Sequence, residues 1–262
     1  MRNSWLKVGM ISNDCDKMKR RYAEVTITPR VISEKELNKI IDTAIFLGFK
    51  VLGINVHARD FKSISIVKNK IEQSGLDFVS RIDVTISDIN SIKKYLRKYR
   101  RKVELISLRG ISRKLIAFGC RDRRIDIIQV DPRYKFTLFK GDVRLILEQD
   151  KVLELTAKPL IYANSKAEWI RTLQLYDKIL KIISRKNIKF IFGSGASTFT
   201  EMRDARSLAS ILVSFFNIEY DRALDSLSNN IHKIIERSRF KLSPRFIWPG
   251  VYLAEDQNAG KL

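Results

Sequence analysis

Residues 22–57, YAEVTITPRVISEKELNKIIDTAIFLGFKVLGINVH, decide the fold. YAEVTIT is rich in β-branched residues and reads as a strand. Ser33-Glu34-Lys35-Glu36 follows as a capping box, with serine at the cap and glutamate three residues on. Apolar residues then recur at Leu37, Ile40, Ile41, Ala44 and Ile45, the period of a helix buried along one face. Gly48 ends that helix, and VLGINVH is a second strand.

The same strand–helix unit repeats along the chain. Strands are predicted to begin near residues 24, 51, 78, 103, 125, 152 and 189, each leading into a helical stretch. Apolar strands in a regular βα repeat signal a parallel sheet covered on both faces. Seven units favour a closed or nearly closed TIM-type barrel. A doubly wound open sheet is the main alternative. Helices at 204–216 and 221–238 then wrap the end. The domains expected are a leader at 1–21, a barrel at 22–238 and a surface tail at 239–262.

Fifty Lys and Arg against 29 Asp and Glu give a net charge of +21, spread along the chain. The default inference is a polyanionic partner, with a generally basic surface as the alternative. The run Lys17, Lys19, Arg20, Arg21 reads as a solvated tail or an RNA-touching arm. Cys15 and Cys120 are too few for a disulfide framework or a ligand set, which fits a reduced, cytoplasmic setting. The short run WLKVGMI is not expected to be a secretory leader, and no apolar segment approaches the roughly 20 residues that span a bilayer, so no membrane partner is expected.

In such a barrel, function gathers at the carboxyl ends of the strands. His57, Arg59 and Asp60 follow the second strand, Arg81 and Asp83 lie at the third, and Arg109 and Arg113 follow the fourth. Asp131 and Arg133 follow the fifth, Lys158 the sixth, and Ser194, Ser197, Arg203 and Arg206 the seventh. Cations dominate, and guanidinium forks suit phosphate. The RNA-contact candidates are Arg81, Arg109, Arg113, Arg133, Lys158, Arg171 and Arg203. His57, Asp83, Asp131 and Glu154 are the residues that could ring a metal in a phosphoesterase barrel, but His57 has no histidine partner at i+2 or i+4. No catalytic residue, metal ligand or bound cofactor is assigned to this chain. His232 reads as a surface or packing residue. Glu104, Asp126 and Glu154 sit within apolar strands, where an acid is costly unless paired, and are expected to bridge to basic residues.

The last strand, Phe190 to Phe192, runs into Gly193-Ser194-Gly195-Ala196-Ser197. Its backbone N–H groups and hydroxyls could face phosphate. It lacks the third glycine of a dinucleotide fingerprint, the Gly-Lys-Ser/Thr of a P-loop and the register of a nucleophile elbow. A phosphate loop and a purely structural turn both remain open.

Residues 192–235, FGSGASTFTEMRDARSLASILVSFFNIEYDRALDSLSNNIHKII, resemble the C-terminal motif region of the ribonuclease P protein component 3 family, archaeal relatives of a eukaryotic ribonuclease P/MRP subunit. The resemblance is carried by the motif turn Ser194, Gly195, Ala196, by Arg203 and Asp204, and by Ala223, Leu224 and Asn230. It extends over roughly residues 22–237. It implies a TIM-barrel-like fold related to the polymerase-and-histidinol-phosphatase barrels, without a metal site. It implies a protein subunit of the ribonucleoprotein that removes the 5′ leader of precursor tRNA, with catalysis by an RNA subunit that carries magnesium. The implied partners are that RNA, precursor tRNA, a second small protein subunit and other holoenzyme proteins. The alternatives are a stand-alone metal-dependent barrel phosphoesterase and a generic RNA-binding barrel. Ala205 stands where the family usually has proline, which predicts a less constrained helix start.

Overall fold

The strands form where the apolar runs fall. The computed structural model describes residues 20–30, 32–56, 61, 63–248 and 251–253. It contains β1 (Ala23–Ile27), β2 (Val51–Asn55), β3 (Asp77–Val84), β4 (Leu105–Arg109), β5 (Ile127–Gln129), β6 (Val152–Thr156) and β7 (Phe190–Gly193). These seven pair in chain order, each parallel to the next. A doubly wound sheet would reverse its order at a switch point, so the sequential order selects the barrel.

The connections carry α1 (Glu34–Phe46), α2 (Ile64–Gln73), α3 (Ile89–Tyr99), α4 (Arg113–Arg121), α5 (Lys140–Glu148), α6 (Lys158–Ile161) and α7 (Lys166–Lys186). Side-chain caps fix several starts: Ser33 accepts from Glu36 N–H, Asp88 from Ser91 N–H, Ser112 from Leu115 N–H and Ser165 from Glu168 N–H. Leu52, Ile54, Leu153, Leu155, Phe190 and Phe192 pack in the core shared with α1, α7 and the later helices. Ile82, Ile106 and Leu108 pack with α3 and α4.

After β7 come α8 (Ala205–Phe216), α9 (Tyr220–Asp225), α10 (Asn229–Leu242) and an antiparallel hairpin, β8 (Phe246–Trp248) with β9 (Val251–Tyr252). Ile231, Ile234 and Ile235 of α10 join Val25, Val51, Val79, Leu105, Ile127, Val152 and Ile191 in one apolar cluster, which places α10 against the interior layer of the barrel. Helix α10 runs past the boundary expected at 238, and the hairpin occupies part of the stretch read as a tail.

The single helix expected at 221–238 is two. Ser226 Oγ donates to Ala223 O at 2.6 Å and Ser228 Oγ to Leu224 O at 2.7 Å, competing with the helical ladder. The carbonyls at the break serve the strands: Phe192 N–H donates to Ser226 O (3.3 Å) and Ala23 N–H to Leu227 O (3.0 Å).

That seam matters because no ladder joins β7 to β1. Glu24 bridges the gap. Its Oε1 accepts from Thr26 N–H (2.8 Å) and Thr26 Oγ1 (2.6 Å), and its Oε2 accepts from Ser194 N–H (2.9 Å). Thr28 N–H donates to Ala196 O at 2.8 Å. Strand β1 slips by one residue between the pairs Glu24–Leu52 and Ile27–Ile54, a bulge in this edge strand.

The seam leaves no room at Gly193, where a Cβ would meet the Thr26 side chain and lie 2.9 Å from Glu24 Oε1. Gly193→Ala should therefore lower unfolding free energy by ~1–3 kcal/mol. Gly141→Ala, at a helical position with nothing within 4 Å, should instead gain up to ~1 kcal/mol. Urea unfolding compares the two; equal midpoints would mean that the seam is not tightly packed.

Candidate functional site

A cavity of about 550 Å³ opens at the carboxyl ends of the strands, walled by Thr28, Asn55, Asp83, Arg109, Asp131 and Lys158 among others. The alternation of β3 sends Val79 and Arg81 to the interior together. The Arg81 guanidinium is fully buried and four of its five N–H donors are used. Nε donates to Asp83 Oδ1 at 2.7 Å, and Nη1 to Val25 O at 2.8 Å and Glu154 Oε2 at 2.5 Å. Nη2 donates to Glu154 Oε1 at 2.8 Å. Burial works to lower the Arg81 pKa, but the charges of Asp83 and Glu154 outweigh it and hold the group cationic, above its ordinary value. Burial pushes the Glu154 carboxyl up, against the pull of Arg81.

Arg81, expected as an RNA contact, is 1% exposed and serves instead as the interior counter-ion of Glu154 and Asp83. The expectation that the strand carboxylates are paired holds at all three positions. Glu104 Oε1 accepts from Arg239 Nε at 2.5 Å, and Asp126 Oδ2 from Arg100 Nη1 at 2.7 Å. The cations come from α10 and from the end of α3, which the sequence reading did not anticipate.

The cations of the rim are also engaged. Asp131 takes Arg109 Nε at 2.9 Å and both Nε and Nη2 of Arg133, at 3.0 and 2.7 Å. Burial raises the Asp131 carboxyl, but the Arg133 hydrogen bonds and the two guanidinium charges outweigh it, leaving it below the usual carboxylate range. Lys158 Nζ meets Glu201 at 2.7 Å and Ser197 Oγ at 2.8 Å. Arg113 pairs with Asp142 at 2.7 Å and stacks 4.2 Å from the Phe139 ring centroid. Arg203 donates to Thr200 O, Met202 O and Tyr162 Oη, clamping the short turn Phe199–Glu201. Arg171 is exposed on α7, with no carboxylate partner among the described residues.

In the motif turn, the structural reading prevails. Ser194 N–H goes to Glu24, Gly195 N–H to Thr26 Oγ1 (2.8 Å), Ala196 N–H to Ser194 Oγ (3.3 Å) and Ser197 N–H to Glu201 Oε2 (2.7 Å). None of these four donors is left to cradle a phosphate. Asn230 Nδ2 donates to Phe190 O at 2.9 Å, so the downstream motif asparagine serves the same strand. Helix α8 is well fixed without a proline, because Asp204 accepts from Arg206 N–H, Ser207 N–H and Ser207 Oγ. His232 packs near Arg21 O, 2.8 Å from its Nε2, and Arg20, from the basic run, pairs with Asp221 at 3.0 Å. Among the described residues no three His, Cys, Asp or Glu side chains stand together as a metal set. His57, Arg59 and Asp60 lie outside the described residues. Glu24, Thr26 and Glu201 were missed; the signal for Glu24 was an acid inside the apolar strand AEVTI.

Fold and site together define a TIM-barrel-like protein with a salt-bridged interior. Residues 22–242 match the family described as RNase P subunit p30, and the chain belongs to that family. Ribonuclease P protein component 3 of Methanothermobacter thermautotrophicus is 22% identical over 184 residues, 68% of this chain and 74% of the relative. A chain in a cryo-EM structure of archaeal ribonuclease P with mature tRNA superposes with a TM-score of 0.72 at 16% identity, over 88% of this chain and 98% of that one. The histidinol phosphate phosphatase of Lactococcus lactis gives a TM-score of 0.48 at 10% identity, over 83% and 94% of the two chains.

Removing Arg81 leaves a buried carboxylate without its cation, which costs ~3–5 kcal/mol. Arg81→Met should show that loss in urea unfolding near pH 7, and adding Glu154→Gln should recover part of it. In Arg81→Met the raised Glu154 binds its proton more tightly folded than unfolded. Stability should therefore rise as pH falls through the folded value toward about 4.3, the unfolded one. A variant as stable as wild type at neutral pH would show that the pair is dispensable.

Proposed function

We propose that this chain acts as an RNA-supporting, non-catalytic subunit of ribonuclease P in the cytoplasm. In this reading the RNA subunit cuts the 5′ leader from precursor tRNA and carries the magnesium, while the protein neutralises phosphates and holds the RNA together with a second small protein subunit and other holoenzyme proteins. The observation that carries the reading is the division of charge. The interior acids Asp83, Glu154 and Asp131 are engaged by guanidinium groups, while the chain as a whole keeps an excess of 21 positive charges. An interior committed to ion pairs holds a scaffold together, and unopposed surface cations favour a polyanion. A hydrolase working at this mouth would need Asp83 and Glu154 released from Arg81.

Purified chain alone should not process precursor tRNA. Added to the cognate RNA with the partner proteins, it should restore cleavage at a lower magnesium concentration than RNA alone requires. Metal-dependent phosphatase or nuclease activity of the lone chain, lost in His57→Ala, would overturn the proposal.

A further inference from the structure

A row of cations that the fold does not pair lies on the flank of the barrel, on and just past α3. This helix contains no acidic residue, and its buried positions are Ile92, Leu96 and Tyr99. At 3.6 residues per turn, Lys93, Lys94, Arg97 and Lys98 fall on the opposite face, and Arg101 follows in the turn just past the helix end. All five are exposed, and none pairs with a carboxylate among the described residues. Lys98 Nζ lies 5.2 Å over the Tyr99 ring, and the other four make no side-chain contact of this kind. From Lys93 to Lys98 the helical part of the stripe rises about 8 Å at ~1.5 Å per residue. It continues sideways. Arg124 Nη1 donates to Lys93 O at 3.5 Å, so the end of α4 and the turn after it, with exposed Arg121 and Arg123, abut the same helix.

We propose that the outer face of α3 is the main RNA-docking surface of this protein, and that it holds the phosphate backbone of double-helical RNA. The inference rests on the ribonuclease P reading and names a surface for it. Two observations select the partner. The stripe is unbroken by acid, so it complements a continuous polyanion better than a protein surface of mixed charge. It also offers no stacking platform. The helix's aromatic rings turn to one another, Tyr95 and Tyr99 with centroids 4.6 Å apart and Phe61 5.3 Å from Tyr99. Single-stranded RNA is gripped by aromatic stacking, whereas duplex RNA is met through backbone contacts that ignore sequence. The mouth cations contrast with the stripe. Arg109, Arg113, Arg133 and Lys158 each already hold a carboxylate.

The test uses the full chain and an RNA duplex of arbitrary sequence, with one of its single strands for comparison. Lys93, Lys94, Arg97, Lys98 and Arg101 are all changed to Gln, a residue that keeps helix propensity. A control variant loses the same charge elsewhere, through Lys35→Gln, Lys39→Gln, Lys178→Gln, Arg185→Gln and Lys186→Gln. Each phosphate contact adds ~0.7–0.9 to the slope of log affinity against log salt. The α3 variant should lose about 3–4 of that slope and bind the duplex more than about tenfold more weakly at 0.1 M salt. The control should keep most of both. Wild type should prefer the duplex to the single strand, and the α3 variant should fail to support precursor-tRNA cleavage in the reconstituted holoenzyme.

An α3 variant with the wild-type slope overturns the docking surface; if wild type still supports cleavage, the ribonuclease P reading stands without it. Wild type that fails to support cleavage overturns the reading itself. Normal duplex binding with lost association to the partner proteins would make α3 a protein-binding face, against the proposal. Equal or tighter binding of the single strand would overturn the choice of duplex. Circular dichroism confirms that each variant is folded.

Discussion

Seven parallel strands leave the two edges of this barrel facing each other without a ladder, and the rest of the structure depends on how that seam is sewn. Unpaired backbone groups buried between β1 and β7 would be costly. The chain supplies substitutes one at a time. The Glu24 carboxylate reaches Ser194 N–H, Thr26 Oγ1 takes Gly195 N–H, and Ala196 O takes Thr28 N–H. The break between α9 and α10 lends the carbonyls of Ser226 and Leu227 to Phe192 and Ala23. Asn230 then ties Phe190 O to the start of α10. The Ser-Gly-Ala turn and the downstream asparagine are therefore parts of one closure. Ser194, Gly195, Ala196 and Asn230, among the residues that carry the family resemblance, mark where the barrel is shut.

The same logic governs the interior. Apolar side chains fill the layer against α10, and above it the barrel holds a guanidinium among acids. Glu154 alone would be an expensive buried charge, and Arg81 alone would be another. Together, with Val25 O and Asp83 taking two further donors, they leave every nitrogen of the Arg81 guanidinium with a partner. A barrel centre filled in this way is a strut between β1, β3 and β6.

The strands were legible because each apolar run is bounded by turn residues and recurs at βα spacing. The start of α1 was legible where Ser33 announces it, whereas the caps Asp88, Ser112 and Ser165 were not picked out from the sequence. What escaped the sequence reading had a common cause. Arg81 was grouped with strand-end cations by its position along the chain, although the alternation of Val79 and Arg81 on β3 already pointed it inward. The run 221–238 has helical periodicity throughout. The serines that interrupt it do so only because strand donors await the freed carbonyls, a fact of tertiary structure. Asp204 fixes the start of α8 by its own hydrogen bonds, so the proline that Ala205 replaces is not needed to hold it.

Charge count and charge placement answer different questions. The excess of 21 positive charges says that a polyanion is a fitting partner, and strand-end position put its contacts at the mouth. A guanidinium that neutralises a buried carboxylate has fewer donors left for phosphate, and Asp131, Asp142 and Glu154 draw on Arg109, Arg133, Arg113 and Arg81 in this way. The cations free to release counter-ions are those the fold does not use. On α3 they share one face because the other is committed to Ile92, Leu96 and Tyr99. The helix that covers β3 and β4 thus turns to solvent a row of charge that the barrel has no need of.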